Sequence, residues 1–166
     1  MRRGMLPLLL VALSISGCAM GGGAPPMTQL QIREFQTRVF DTKDTKMVMK
    51  AVLNVLQDED FIVKGADAEL GFLTATREMD VEDKGKAFMA RLVRGGNARW
   101  DKYSICEVTA NISPRDDQTR VRVNFQLKTL NNMGLVSKIR AMGDEAYYQE
   151  FFAKVDKGIF IEKEKL

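Results

Sequence analysis

The side chains able to do chemistry are few, and their spacing decides what chemistry that could be. Cysteine occurs twice, at Cys18 and Cys106, and histidine not at all. Without imidazole the chain lacks the commonest general base, the usual proton switch near neutral pH and the commonest nitrogen ligand for metals. That excludes Ser-His-Asp triads and histidine-bearing zinc sites. Cys106 lies in the strand-like run Tyr103-Ser104-Ile105-Cys106-Glu107-Val108-Thr109-Ala110. With no histidine to take its proton it reads as a buried, inert thiol, the other reading being a reactive or intermolecular one. Carboxylates cluster at Asp58-Glu59-Asp60, Glu82-Asp83 and Asp116-Asp117. Acid–base catalysis or calcium binding would need such groups to converge in a cleft, whereas each falls at an expected helix end or turn, and no EF-hand spacing occurs. Gly21-Gly22-Gly23 and Gly95-Gly96 lack the strand, lysine and helix of a phosphate loop, and no Gly-x-Ser-x-Gly elbow is present. These residues assign no catalytic role, no cofactor and no metal.

Two other stretches carry contact chemistry. Phe88, Met89 and Leu92, with the single tryptophan Trp100, form a candidate partner surface, because aromatic residues, Met and Arg are favoured at interfaces. The alternative is a connector packed on the open end of a sheet. Over residues 119–128, Arg120, Arg122, Asn124, Gln126 and Lys128 share one strand face, which could meet anionic headgroups or an acidic protein, or simply face water.

The chain that must position these residues has 166 of them, 45% apolar, 28% charged and 8% aromatic. That is the composition of one globular domain, not of a disordered, collagenous or multi-span membrane chain. About 150 residues enclose a single core, burying roughly 68–70% of the unfolded surface. Over residues 30–40, Leu30 and Ile32 alternate in one phase and Phe35, Thr37 and Val39 in the other, which predicts a strand with a phase slip near Glu34. Residues 41–45 supply capping oxygens for a helix reaching about Glu59, with Met47, Val48, Ala51, Val52, Val55 and Leu56 as its apolar stripe. Short strands follow at 61–64 and 72–77, and residues 80–102 permit a short helix ending at Gly95-Gly96. Strand patterning returns at 104–112 and 119–129, with a turn at 114–118. In the second of these, Val121, Val123, Phe125 and Leu127 share one face, as in an antiparallel strand with one wet side. Asn131-Asn132-Met133-Gly134 predicts a hairpin turn into residues 135–142. Asp144 then caps a last helix with a stripe of Tyr148, Phe152, Val155 and Ile159, flanked by Tyr147, Phe151 and Phe160. At ~1.5–3 kcal/mol per large apolar side chain buried, its five aromatic rings make it the main packing element. The order predicts an α+β fold, an antiparallel sheet with helices packed on one face.

Ahead of the domain, Arg2 and Arg3 precede an apolar run, Met5 to Leu13, that contains Pro7 and is shorter than the ~20 residues a bilayer crossing needs. It reads as a secretory leader. Its end, Ile15-Ser16-Gly17-Cys18, resembles the lipobox of bacterial lipoproteins: an aliphatic residue and two small ones before a cysteine. The resemblance implies cleavage between Gly17 and Cys18, a diacylglycerol thioether on Cys18 and an acylated new amino terminus. Several acyl chains, at ~0.8 kcal/mol per buried methylene, hold a protein on a bilayer effectively permanently. Ala19 stands where an inner-membrane retention signal would place aspartate, which implies the periplasmic face of the outer membrane. Residues 1–17 are then the cleaved signal peptide, 18–29 a lipidated, flexible tether and 30–166 a single α+β periplasmic domain. Loss of Arg2 and Arg3 leaves 23 basic against 22 acidic side chains, without the surplus that nucleic-acid binding requires. With Cys18 taken by lipid, Cys106 has no intramolecular disulfide partner.

The succession Val52-Leu53-Asn54-Val55-Leu56, Phe61-Ile62-Val63, Asp67-Ala68-Glu69-Leu70-Gly71 and Thr74-Ala75, closed by an amphipathic helix, resembles the helix-grip modules of BamC-type outer-membrane lipoproteins. It is also similar to uncharacterised bacterial lipoproteins of comparable length. The resemblance implies a non-enzymatic role: a structural or binding subunit of an envelope assembly of the secretion, efflux or barrel-insertion type, with the outer membrane and an envelope protein as partners. The reading from a different class is a carrier or sensor, holding a small apolar ligand between the C-terminal helix and the sheet.

Overall fold

The computed structural model describes residues 27–164; the leader, its cleavage site at Gly17 and Cys18, and most of the tether lie outside the described residues. The first element departs from the expected strand over 30–40. The Gln31 amide donates to Thr28 Oγ1 at 3.3 Å while the Thr28 amide donates to Gln31 Oε1 at 2.8 Å, and this reciprocal cap starts helix α1, Gln29–Phe35. Only Thr37–Phe40 forms a strand, β1. The capping box and a run of helix-favouring Gln, Leu, Arg and Glu outweigh the two-residue alternation. Helical spacing also turns Phe35 onto Tyr148, their ring centroids 5.2 Å apart.

Helix α2, Thr45–Asp58, begins where Asp44 accepts from the Met47 amide at 2.9 Å. It ends in a Schellman turn: Asp60 takes a left-handed φ of 63°, while the Asp60 amide donates to Gln57 O at 3.0 Å and the Phe61 amide to Leu56 O at 2.9 Å. The chain then runs through β2, Ile62–Asp67, and β3, Phe72–Asp80, to α3, Lys84–Arg94, and onward through β4, Asp101–Arg115, β5, Gln118–Asn131, β6, Val136–Ala141, and α4, Glu145–Glu164. The short helix expected within 80–102 is α3. The turn expected over 114–118 is tighter, because Pro114 and Arg115 still pair with Thr119 and Gln118, leaving Asp116 at a φ of 53° to reverse the chain.

The sheet is antiparallel throughout, in the order β1-β5-β4-β3-β2, and β6 also pairs with β5. Thus β1 and β6 share one edge of β5, β1 opposite residues 119–122 and β6 opposite residues 126–130. The gap between them is closed by other partners. Val123 donates to Gln36 O at 2.9 Å and Met142 to Phe125 O at 2.9 Å, while the Phe125 amide donates to Tyr148 Oη at 3.1 Å.

One face of the sheet carries Leu73, Ala75, Cys106, Val108, Ala110, Val121, Val123 and Phe125, all buried under α2 and α4. The fold is therefore the α+β arrangement with a single helical layer. The two helices meet where Gly158 passes Ala51, so closely that a Cβ on Gly158 would sit 3.3 Å from that of Ala51. The stripe of α4 is wider than expected. Phe151 is buried with Tyr148, Phe152, Val155 and Ile159, whereas Phe160 is exposed, because Phe151 stands edge-on to Phe125 at 5.3 Å.

Candidate functional site

The carboxylate clusters do not converge. Among the described residues no group of three His, Cys, Asp or Glu side chains lies close enough to share a metal ion. Glu59 accepts from Tyr147 Oη at 3.2 Å and from Lys154 Nζ at 2.9 Å. Asp83 caps α3, accepting from the Lys86 amide at 3.1 Å, and this bond holds its carboxyl below the usual range. Burial, then the Glu59 charge, pushes the Tyr147 hydroxyl up, and burial does the same to Tyr148. Hydrogen bonds to Glu150 and to Glu59 raise the Lys154 ammonium. Cys106 is buried, as expected, with its thiol raised by that burial. Its Sγ lies 3.9 Å from Met142 Sδ.

The polar strand face is partly paired. Lys128 Nζ lies 2.7 Å from Glu107 across the β4–β5 ladder, and α1 leans over Arg122 and Asn124 so that they border a shallow groove with Ile32 and Arg33.

The candidate partner residues gather at the opposite end of β5. Two loops are stitched together there: the Asn132 amide donates to Trp100 O at 3.1 Å, the Trp100 amide to Asn132 Oδ1 at 3.3 Å, and Asn132 Nδ2 to Ala98 O at 3.1 Å. Trp100, half-buried, donates from Nε1 to Glu82 Oε1 at 2.9 Å, and the Arg91 guanidinium stacks 4.7 Å over its ring. Ala87 is the buried residue of α3. The helix is therefore seated through Ala87, which is buried, and Arg91, which lies on Trp100. Phe88, Met89 and Leu92 point outward, 62%, 57% and 65% exposed, together with Val93 at 76%. Trp100 is the seat of α3 and the other three face solvent on a different side of the helix.

Sequence reasoning missed the second half of this surface. Leu135, Val136 and Ile139 are exposed at and before β6, in a strand exposed along its whole length. The available signal was Val136 and Ile139, three apart and so on opposite strand faces, among Lys138 and Arg140, which does not follow the two-residue rule of a half-buried strand.

The space between α4 and the sheet is filled by rings. Phe125 stands edge-on to Tyr147, Tyr148 and Phe151 at centroid distances of 5.0, 5.4 and 5.3 Å. A carrier would have to part this packing. An open cleft lies between α1 and α4, bordered by Phe35, Arg38 and Phe152, and another on the outer side of α2 and α4 beside Gly158. Among the described residues no helix is long and apolar enough to cross a membrane.

No family model and no curated protein matches the chain. Among solved structures it is similar to a DUF4468 family protein from Bacteroides ovatus, at 7% sequence identity over 74% of this chain and 84% of that one, with a TM-score of 0.40.

Proposed function

We propose that the chain is a lipoprotein held at the periplasmic face of the outer membrane through Cys18, where its domain serves as a non-catalytic binding subunit of an envelope assembly. The observation that carries the reading is the orientation of α3. Its large apolar side chains face away from the core, so this end of the domain is completed by something outside its own fold. The lipobox residues Ile15-Ser16-Gly17-Cys18 supply the anchor and the compartment. Intact-mass analysis of membrane-derived chain tests the anchor: the expected product begins at Cys18 and carries diacylglycerol and an N-acyl group, and a retained leader or bare thiol overturns it. Gentle-detergent pull-down through a C-terminal tag tests the role, with a defined envelope component expected to co-purify. A chain that is monomeric and free of partners in every detergent contradicts the proposal.

A further inference from the structure

We propose that the end of the domain built from α3 and β6 docks on the surface of a bilayer rich in anionic phospholipid. Residues 84–100 carry five basic side chains, Lys84, Lys86, Arg91, Arg94 and Arg99, and no acidic one; residues 132–142 add Lys138 and Arg140, again without an acid. With Glu82, Asp83 and Asp101, which border this end, seven basic side chains stand against three acidic ones here, and the other 16 basic against 19 acidic elsewhere past the leader. A chain that is nearly neutral as a whole is thus two-ended, positive here and negative elsewhere. Of the carboxylates bordering this end, Asp83 pairs with Lys86, while Glu82 accepts from Trp100 Nε1 and Asp101 from Ser137 Oγ, neutral donors that leave both charged.

Among the cations of residues 84–94 lies the exposed apolar stripe of α3, and Leu135, Val136 and Ile139 are exposed at and before β6. Trp100 lies between the seated side of α3 and β6, since it borders one groove with Lys86 and Ala90 and another with Leu135 and Val136. Large apolar side chains set among Lys and Arg, with cations outnumbering carboxylates, are what an interfacial helix needs. The rings and aliphatic groups enter the headgroup–acyl boundary while the cations meet phosphodiesters. The surplus of cations over carboxylates at this end is complementary to an anionic lipid surface, which favours lipid as the occupant. The inference rests on the proposed function only in that the domain is held beside a membrane; docking itself requires no acyl chain.

The core runs from Phe40 to Ile159, so the leaderless chain with Cys18→Ser retains all of it. This chain is mixed with phosphatidylcholine vesicles, with or without about one-third phosphatidylglycerol. Trp100 is the sole tryptophan, and its emission reports the docking end directly. The expected result is co-sedimentation and a changed Trp100 emission with the anionic vesicles alone, weakening as salt rises. Leu92→Glu with Val93→Glu, at exposed positions, should leave the thermal melt unchanged and weaken association about tenfold or more. Three results overturn the proposal: no association at low salt, equal association with neutral vesicles, or undiminished association of the double variant. A double variant that binds vesicles normally but loses a co-purifying protein would assign the surface to that protein instead. An unacylated membrane-derived chain would defeat the lipoprotein reading and leave the vesicle result standing, whereas an acylated wild-type chain indifferent to anionic vesicles would defeat docking alone.

Discussion

Removing one oxygen, in Tyr148→Phe, tests the account of how the sheet edge is closed. The Phe125 amide lies between the stretch of β5 paired with β1 and the stretch paired with β6, and it donates to Tyr148 Oη at 3.1 Å. Tyr148 is fully buried, so no water replaces the hydroxyl. Gln36 Nε2 donates to the same oxygen at 3.3 Å but also to Asn124 Oδ1 at 3.2 Å, so the loss falls mainly on one backbone donor. Phenylalanine keeps the ring and its contacts with Phe35 and Phe125 at 5.2 and 5.4 Å. What remains is the cost of an unsatisfied buried N–H, about 1–3 kcal/mol. Urea unfolding at neutral pH measures it, and hydrogen exchange at the Phe125 amide localises it. Tyr147→Phe is the control for location, since its hydroxyl meets the Glu59 carboxylate rather than the ladder, and it should leave exchange at the Phe125 amide unchanged. A Tyr148→Phe loss below about 0.5 kcal/mol, with unchanged exchange at Phe125, would refute the argument.

Phe152→Ala, at a buried ring of α4, should cost ~3–5 kcal/mol in the same urea experiment; a loss below about 1 kcal/mol would mean that α4 does not pack on the sheet. Gly71 has a φ of 66° and a Cβ there would collide with the Ile112 carbonyl oxygen, so Gly71→Ala should lower stability by at least about 2 kcal/mol, read from a thermal melt. Stability should hold up to the alkaline range and then fall. Burial raises the folded values of Cys106, Tyr147 and Tyr148, so the unfolded chain releases protons first, above the ordinary values of 9.0 for the thiol and 10.0 for the hydroxyls. The raised Lys154 acts in the same direction. Urea midpoints across this range would show it, and Tyr147→Phe with Tyr148→Phe should flatten the decline above pH 10.0; an unaltered slope in that double variant would count against it.

Most of the sheet and both large helices were legible because their signals are local and mutually consistent. Val121, Val123 and Phe125 alternate, the Asp44 cap precedes its helix, and the rings of α4 follow helical spacing. Residues 29–35 misled because Leu30, Ile32, Phe35, Thr37 and Val39 form alternating pairs by accident, while the decisive Thr28–Gln31 cap depends on two polar residues three apart. The partner surface was legible by residue type but not by orientation. Phe88, Met89 and Leu92 could face inward or outward, and that choice is made by Trp100, whose ring receives Arg91. The extension through Leu135 and Ile139 depends on β6 pairing with β5 on the edge it shares with β1, which is a property of sheet order rather than of sequence.

The inverted orientation of α3 also determines where the domain is least stable. Eleven residues are too few for an isolated helix to hold its shape in water, and α3 buries only Ala87 in compensation. Its order rests on the Asp83 cap and on the exposed Arg91 over Trp100, worth about 0.5–1 kcal/mol. Helix α2, by contrast, buries Val48, Met49, Ala51, Val52, Val55 and Leu56. The amides of α3 should therefore exchange with solvent well before those of α2, in a local opening that leaves the sheet intact. Whatever covers Phe88, Leu92 and Val93 must slow that opening, because it binds the helical form and not the opened one. Hydrogen exchange followed with and without anionic vesicles reads both steps. Protection confined to α3 and β6 is the expected pattern, and protection spread evenly over the domain, or none at α3, would separate this surface from any binding role.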